Sequence, residues 1–153
     1  MKYPILAFTI LLFIACDSNE NENTSTDYKA LNEQQISTYV DDNNLNAVRS
    51  DSGLYYVIEE EGTGAQPTAT SDVTVAYKGY YLNGSVFDQS SASGISFNLR
   101  QVIKGWTEGI TYFKEGGSGL LLVPAHLGYG NNDNRGIPGG SVLIFEINLI
   151  SVN

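Results

Sequence analysis

The chain has few of the side chains on which most enzyme chemistry depends. Its 153 residues include one cysteine, Cys16, and one histidine, His126. Metal sites need clustered His, Cys or carboxylate ligands, and the sequence has no Gly-x-Ser-x-Gly elbow and no phosphate-binding loop. The chain has the residue types for a Ser-His-Asp triad, with His126 and Asp88 as candidates, but His126 lies among apolar residues before a turn. The sequence therefore predicts no metal and no cofactor, and it disfavours hydrolysis.

Positive charge is also scarce. The chain has 8 Lys and Arg residues against 17 Asp and Glu residues, which gives a net charge of −9 at pH 7. Binding to nucleic acid requires clustered Lys and Arg side chains that contact phosphate, so no nucleic-acid partner is predicted. The chain has 16 glycines and 10 tyrosines, however, and this bias favours a mostly β structure with many turns.

The amino terminus differs in composition from the rest of the chain. The apolar run of residues 5–15 is too short to span a bilayer but is typical of the core of an export signal. The stretch "LFIAC" resembles the bacterial lipoprotein signal, in which the cysteine is acylated and becomes the first residue of the mature chain. Ala15 fits that pattern, whereas Phe13 departs from the usual Leu, Val or Ile.

This resemblance predicts a signal peptide over residues 1–15 and lipidation of Cys16. It also places the protein in the bacterial cell envelope, anchored to a membrane through lipid and facing the periplasm or the cell surface. A plain secreted protein and an uncleaved membrane anchor are the alternatives. Residues 16–27 are polar and acidic, which predicts a flexible tether.

The next segment, residues 28–48, has a modest helical pattern. Asp27 is the predicted N-cap and "DDNN" the predicted end of the helix. The apolar residues predicted to share one face are Leu31, Ile36, Tyr39 and Val40. The sequence predicts a short helix that packs on the following domain. A dimerising arm is the alternative, and a monomer is the default expectation.

From residue 52 onward the pattern changes to that of strands. "DVTVAYKGYYL" alternates between its two faces, and the following Asn83-Gly84 predicts a type I′ hairpin turn. The other predicted strands are "GLYYVIEE", "SVFD", "GISFNL", "GLLLVP" and "SVLIFEINLISV". Residues 125–141 form a Gly- and Asn-rich loop that is too long to be a mere connection, and such loops tend to carry function.

One segment between these strands has its apolar residues at helical spacing. Val102, Trp106, Ile110 and Phe113 are separated by four, four and three positions, which predicts a helix of about three turns. An amphipathic helix of this kind can bury its apolar face across a sheet. The predicted fold class is therefore α+β. It has five to six mainly antiparallel strands and one short helix in a domain spanning residues 52–153, with an N-terminal helical extension.

Four segments occur in a recognisable order: "VAYKGYYLNGSVFDQS", "FNLRQVIKGWTEGI", "LLLVPAHLGYG" and "IPGGSVLIFEINLI". Together they resemble the FKBP-type peptidyl-prolyl cis-trans isomerases over residues 53–152. The resemblance implies a bent antiparallel sheet of five to six strands wrapped around one short helix. It also implies isomerisation of Xaa-Pro bonds. An FKBP-like binding or chaperone module with little catalysis is the alternative.

The resemblance also implies the residues of a site. The implied catalytic residues are Tyr77, Asp88, Trp106 and Tyr129. The implied substrate-binding residues are Phe87, Ile95, Val102, Ile103, Ile137 and Phe145. Ile95 stands where the family often has an aromatic residue, and the Gly139-Gly140 pair stands where a second proline is common. Implied partners are proline-containing unfolded or exported polypeptides and macrolides of the FKBP-binding type.

Overall fold

The computed structural model describes residues 27–153. The predicted signal peptide, Cys16 and the predicted tether up to residue 26 lie outside this range. The helices and strands are α1 (Tyr28–Asp42), β1 (Val48–Arg49), β2 (Tyr55–Glu60), β3 (Asp72–Tyr81), β4 (Val86–Gln89), β5 (Ile95–Asn98), α2 (Lys104–Gly109), β6 (Ser118–Val123) and β7 (Leu143–Val152). Short 3-10 turns cover Leu99–Gln101, Ile110–Tyr112 and Ala125–Leu127.

All strand pairs in the described residues are antiparallel and belong to one sheet. Its order is β1-β2-β6-β7-β3-β4. Strands β4 and β5 share one edge of β3: β5 pairs with its first half and β4 with its second half. The centre of the sheet is the long pairing of β3 with β7, which runs from Val73–Val152 to Tyr81–Leu143. The α+β prediction, with an antiparallel sheet, one short helix packed on it and an N-terminal helix, is confirmed. Within residues 27–153 the sheet has seven strands rather than the predicted five to six, because residues 48–49 add a short edge strand by pairing with β2.

The sheet is covered on both faces, which is why β6 is buried along nearly its whole length. Leu121 and Val123 belong to the main core, the cluster that contains Trp106 and α2. Leu120 and Leu122 point to the opposite face and belong to the outer core, the cluster that contains Ile36 of α1. Alternate residues of a strand face opposite sides, so a strand covered twice reads as a continuous apolar run.

Helix α1 begins and ends where the sequence predicts. Asp27 accepts hydrogen bonds from the backbone N–H groups of Lys29 and Ala30, at 3.0 and 3.2 Å, so its predicted role as N-cap is confirmed. The helix ends at Asp42, within the predicted "DDNN" end, and residues 48–49 of the predicted helical extension form β1 against β2. Leu31 is 38% exposed and lies off the buried face, which is formed instead by Ile36 with Asn32.

The hairpin between β3 and β4 forms at the predicted place with a different turn. Gly84 has a φ of +82°, but Asn83 is not in the left-handed region. The backbone N–H of Gly84 donates to the Tyr81 carbonyl at 2.8 Å, and that of Tyr81 donates to the Ser85 carbonyl at 3.0 Å. The loop therefore has three residues and ends on a left-handed glycine, a common alternative to the two-residue type I′ turn.

Helix α2 is shorter than the three turns predicted from its apolar spacing. Val102 and Ile103 have extended backbone, and the helix covers only Lys104–Gly109 before a 3-10 turn replaces it. The four spaced residues still meet: Trp106, Ile110 and Phe113 are buried in the main core, and Val102 packs against it half-buried. Short 3-10 turns on either side of the helix thus reproduce the spacing that a longer helix would have.

Two glycines, Gly105 and Gly109, let α2 lie close to β6, because a Cβ at either would be 2.6 Å from a β6 side chain. A Cβ at Gly105 would lie 2.6 Å from Cγ1 and 3.1 Å from Cγ2 of the buried Val123, a β-branched side chain with little freedom to turn away. Alanine gains about 0.8–1.0 kcal/mol of helix propensity over glycine, but overpacking costs about 1–3 kcal/mol. We expect Gly105→Ala to lower the free energy of unfolding in denaturant by about 1 kcal/mol. In a Val123→Ala background, where the clash is absent, the same change should no longer destabilise.

None of the helices within residues 27–153 is long and apolar enough to cross a membrane.

Candidate active site

A cavity of about 490 Å³ opens between α2, strands β3 to β5 and the loop of residues 125–141. We call it the aromatic cavity. Its lining residues are Tyr77, Phe87, Asp88, Ile95, Phe97, Gln101, Val102, Ile103, Trp106, Gly128, Tyr129, Asn134, Arg135 and Phe145. It lies on the face of the sheet that carries the main core, so its inner wall is continuous with the packed interior.

Trp106 forms the floor of the aromatic cavity. Its side chain is only 6% exposed. Tyr77 and Phe145 stand nearly perpendicular to the indole, with centroid distances of 4.9 and 5.1 Å and interplanar angles of 82° and 80°. Such edge-to-face contacts are favourable beyond the area that they bury, and they fix the orientation of the indole ring. Trp106 therefore belongs to the main core and also lines the cavity in a fixed orientation.

The indole N–H of Trp106 has no hydrogen-bond partner within the part of the chain that the structure describes, although it is buried. An unpaired buried donor costs free energy comparable to a lost hydrogen bond, and such exceptions concentrate at functional sites. This donor is a second reason to treat Trp106 as more than core filling.

The wall beside the floor depends on a residue without a side chain. Phe87 packs edge-to-face on Phe145, with a centroid distance of 5.6 Å and an interplanar angle of 88°. Both rings lie over Gly79 of β3, where a Cβ would be 2.7 Å from Phe87 Cζ and 3.0 Å from Phe145 Cε1. The two phenylalanines can approach β3 this closely only because residue 79 is glycine.

One hydrogen bond joins two polar groups at the rim. The Tyr77 hydroxyl donates to Oδ2 of the exposed Asp88, at 2.6 Å. Hairpin pairing brings them together, since Gly79 of β3 lies opposite Asp88 of β4. Burial, and then the hydrogen bond to Asp88, raise the pKa of Tyr77 above its ordinary value. The hydroxyl thus remains a donor to Asp88 throughout the neutral range.

The raised pKa of Tyr77 predicts how the protein responds to alkali. An unperturbed tyrosine ionises near pH 10, so the unfolded chain loses this proton at a pH where the folded chain still holds it. The stability linked to this proton is therefore intact below about pH 10 and falls as pH rises further. Burial also raises the pKa of Tyr80, so we expect ultraviolet titration of the folded protein to show late-ionising tyrosines, with one fewer in Tyr77→Phe. An unchanged titration curve in Tyr77→Phe would contradict this.

The rim opposite Asp88 offers backbone and hydroxyl groups. Ile103 is the N-cap residue of α2, and its carbonyl accepts hydrogen bonds from the N–H groups of Trp106 and Thr107. The N–H of Ile103 itself donates to no acceptor within residues 27–153. Tyr129 reaches the cavity from the long loop, and its hydroxyl likewise has no hydrogen bond to the described chain. Both groups are available to a bound peptide backbone.

The structure brings together nine of the ten predicted site residues around the aromatic cavity. Ile137 is the exception: it is buried in the main core, 8% exposed, and does not line the cavity. Its backbone forms a mutual pair of hydrogen bonds with Asn134, at 2.9 and 3.0 Å, which folds the loop tip back. The prediction that Ile137 contacts substrate through its side chain is therefore not supported by its position.

Sequence reasoning missed five lining residues: Phe97, Gln101, Gly128, Asn134 and Arg135. Phe97 matters most, because its ring lies 5.4 Å from that of Trp106 and supplies an aromatic wall. Ile95, which stands where the family often has an aromatic residue, is 46% exposed. Phe97, two residues later, partly replaces the missing aromatic ring in the cavity lining. The alternation of Ile95 and Phe97 on one strand face was the available signal.

A second, larger groove of about 560 Å³ crosses β3 and β7 near the end of α1. It has no tryptophan, and the Lys78–Glu146 ion pair, with a 3.1 Å N–O distance, lies among its residues. We favour the smaller aromatic cavity because it combines an apolar floor with convergent polar groups. Within residues 27–153, no group of three His, Cys, Asp or Glu side chains is placed to hold a metal ion.

Comparison with known proteins places these features in a family. Residues 63–150 match the family described as FKBP-type peptidyl-prolyl cis-trans isomerase. The chain is 43% identical over 107 residues to the FKBP-type peptidyl-prolyl cis-trans isomerase FkpA of Buchnera aphidicola subsp. Schizaphis graminum, a match that covers 68% of this chain and 42% of the relative. The chain thus spans about two fifths of the length of this curated relative.

Solved structures share the fold. The crystal structure of FkpA from Escherichia coli matches with a TM-score of 0.73 and 36% identity, covering 82% of this chain and 61% of that one. A peptidyl-prolyl cis-trans isomerase from Pseudomonas syringae pv. tomato matches with a TM-score of 0.71 and 28% identity, covering 85% of this chain and 98% of that one.

Proposed function

This chain belongs to the FKBP-type peptidyl-prolyl cis-trans isomerase family, and from that premise we propose that it catalyses cis–trans isomerisation of Xaa-Pro bonds in polypeptides. The observation that carries the proposal is the aromatic cavity, with the indole of Trp106 as its floor and the Tyr77–Asp88 hydrogen bond at its rim. Nothing in the cavity favours the alternative, a binding module with little catalysis.

The reaction needs no nucleophile and no proton transfer. Rotation about a peptide bond has a barrier of about 18–20 kcal/mol that arises from amide resonance. The twisted amide has lost its charge-separated resonance form and is less polar than the planar amide. A catalyst must therefore bind the twisted state more tightly than the planar one. An acceleration of about 10⁵ requires only about 7 kcal/mol.

The cavity offers that preference through its apolar lining. Tyr77 and Phe145 pack edge-to-face on Trp106 in the cavity lining. For an amide bound there, such apolar surroundings would disfavour the polar planar form. In the proposed complex, the proline ring lies on the indole of Trp106 while the preceding carbonyl rotates. In this complex, the backbone N–H of Ile103 and the hydroxyl of Tyr129, neither hydrogen-bonded within residues 27–153, are proposed to hold the substrate backbone.

The proposed substrates are unfolded or exported polypeptides that contain proline. Isomerisation of Xaa-Pro bonds takes tens to hundreds of seconds unaided, so it can limit the folding of such clients. Because macrolides of the FKBP-binding type occupy the family's pocket, we expect them to compete with peptide substrates for the aromatic cavity. The catalytic unit is proposed to be a monomer, without metal or organic cofactor.

The test uses the fact that Trp106 is the only tryptophan of the chain. Isomerisation of a short Xaa-Pro peptide is followed while intrinsic fluorescence is recorded during macrolide addition. We expect catalysed isomerisation, a fluorescence change on binding, and inhibition by the macrolide with the same midpoint. Absence of both turnover and fluorescence change would mean that Trp106 is core alone and would overturn the proposal.

We also propose that the chain is anchored to a bacterial membrane through lipid on Cys16, facing the periplasm or the cell surface. The support is the sequence "LFIAC" after an apolar run. Stable membrane anchoring needs at least two acyl chains, which a lipidated cysteine of this kind would carry. Cells grown with labelled fatty acid should label the wild-type chain and not Cys16→Ser, and only the wild type should partition into detergent. Labelling of Cys16→Ser, or an unlabelled wild type, would contradict the anchor.

A further inference from the structure

One buried polar side chain connects α1 to the loop over the aromatic cavity. Asn32 is 0% exposed. Its Oδ1 accepts a hydrogen bond from the backbone N–H of Ala125 at 2.8 Å, and its Nδ2 donates to the backbone carbonyl of Gly140 at 2.9 Å. The orientation of the amide is fixed by these partners, because only the oxygen can accept and only the nitrogen can donate.

The two partners of Asn32 are the two ends of one loop. Residues 125–141 leave β6 at one end and enter β7 at the other, and between them lie four residues that line the cavity. Those residues are Gly128, Tyr129, Asn134 and Arg135. A single side chain, 93 and 108 positions away along the chain, therefore closes the base of the loop that forms the rim of the cavity.

Other contacts at the loop base converge on the same place. The N–H of Gly130 donates to the carbonyl of Ala125 at 2.8 Å, and the N–H of Gly140 donates to the carbonyl of Gly130 at 3.0 Å. The Tyr28 ring of α1 occupies the position of a Cβ at Gly140, which has a φ of +75°. Residues 125, 130 and 140 thus form a hydrogen-bonded base, and α1 packs directly on it.

We propose that Asn32 is a positioning residue for the isomerisation, which makes α1 part of the active unit rather than a separate extension. This inference rests on the proposed function. Loss of the Asn32 amide leaves a buried N–H and a buried carbonyl without partners, which costs free energy unless the loop base moves to find new ones. A shift of about 1 Å in a positioning element can cost about 100-fold in rate.

The test compares Asn32→Ala and Asn32→Ser with a neighbouring control in the full chain. Glu33→Gln is the control, because Glu33 binds Arg49 at 2.8 Å and the Tyr55 hydroxyl at 2.7 Å without touching the loop. The Asn32 variants and Glu33→Gln each weaken a contact between α1 and the rest of the domain. Only the Asn32 variants remove a contact with the loop of residues 125–141. Asn32→Ser is included as a second variant with a short polar side chain in case Asn32→Ala folds poorly.

Two measurements separate positioning from a general loss of stability. Unfolded molecules lower the apparent kcat without changing KM, whereas a displaced rim raises KM for the Xaa-Pro peptide. We expect both Asn32 variants to raise KM, with Asn32→Ala losing about tenfold in kcat/KM, while Glu33→Gln stays within twofold of wild type. Hydrogen exchange at the amides of Ala125, Gly130 and Gly140 should accelerate in the Asn32 variants and not in Glu33→Gln.

Each other outcome has a definite meaning. Unchanged KM and unchanged exchange in the Asn32 variants would overturn the inference, as would equal losses in Glu33→Gln. An inactive wild type would overturn the proposed function instead. The exchange measurement would then still decide whether Asn32 positions the loop, because it does not depend on turnover.

Discussion

Asp88→Ala is expected to lower kcat/KM for a short Xaa-Pro peptide about 30-fold, because it removes a hydrogen bond to a charged group worth about 1.5–3 kcal/mol. The Tyr77 hydroxyl donates to Oδ2 of Asp88 at 2.6 Å, and without this acceptor the tyrosine is no longer held against the cavity wall. Asp88 is exposed, so the fold should remain intact. The measurement is steady-state isomerisation kinetics with an unfolding curve for each variant.

A double-mutant cycle distinguishes two roles for this carboxylate. Oδ2 of Asp88 is occupied by Tyr77, whereas Oδ1 has no donor among residues 27–153 and can face the rotating carbonyl. If Asp88 acts only through Tyr77, then Tyr77→Phe and Asp88→Ala should each cost as much as the double variant. If Oδ1 also acts on the substrate, Asp88→Ala should cost more than Tyr77→Phe.

The matched control for Asp88 is Glu146→Ala. Glu146 is another exposed carboxylate on the same sheet, paired with Lys78 at 3.1 Å and absent from the lining of the aromatic cavity. It should leave kcat/KM within twofold of wild type. Full activity of Asp88→Ala would show that Asp88 has no role in the isomerisation. Loss of turnover without loss of the protein's role in cells would favour the binding-module alternative.

The sequence predicts best those elements in which a single repeat of apolar residues determines which side chains are buried. In β7, Leu143, Phe145, Ile147 and Leu149 alternate on the face that joins the main core, as the sequence predicts. Helix α2 was overextended because 3-10 turns before and after it place side chains at nearly the same intervals as an α-helix. The spacing of apolar residues alone cannot distinguish one long α-helix from a short α-helix flanked by 3-10 turns.

Contacts made across long stretches of chain were beyond sequence reasoning. The prediction for α1 rested on apolar residues, yet the residue that fixes its position on the loop is Asn32, a polar residue with partners 93 and 108 positions away. The burial of Ile137 in the main core, beside a backbone pair with Asn134, is likewise a long-range feature that the sequence does not reveal. The Tyr77–Asp88 contact, by contrast, follows from hairpin register, and both residues are among the catalytic residues that the family resemblance implies.

Gly79→Ala is expected to damage both the cavity and the fold. The new methyl group would lie 2.7 Å from Phe87 Cζ and 3.0 Å from Phe145 Cε1. Phe145 is 3% exposed, so the half-buried Phe87 has more room to swing away, and we expect the wall beside Trp106 to be lost. We expect about 1–3 kcal/mol lower stability from overpacking. We also expect kcat/KM to fall by about 30-fold, since small displacements of positioning groups cost up to about 100-fold.

A second-site change separates these two effects of Gly79→Ala. In a Phe87→Ala background the colliding ring is absent, so the added methyl should cost little further stability. Activity should not return, however, because the Phe87 wall is missing in both backgrounds. Gly79→Ala with wild-type kinetics would contradict the assignment of Phe87 to the substrate site. An equal loss of stability in both backgrounds would show that the strand itself, rather than the aromatic packing, requires glycine at residue 79.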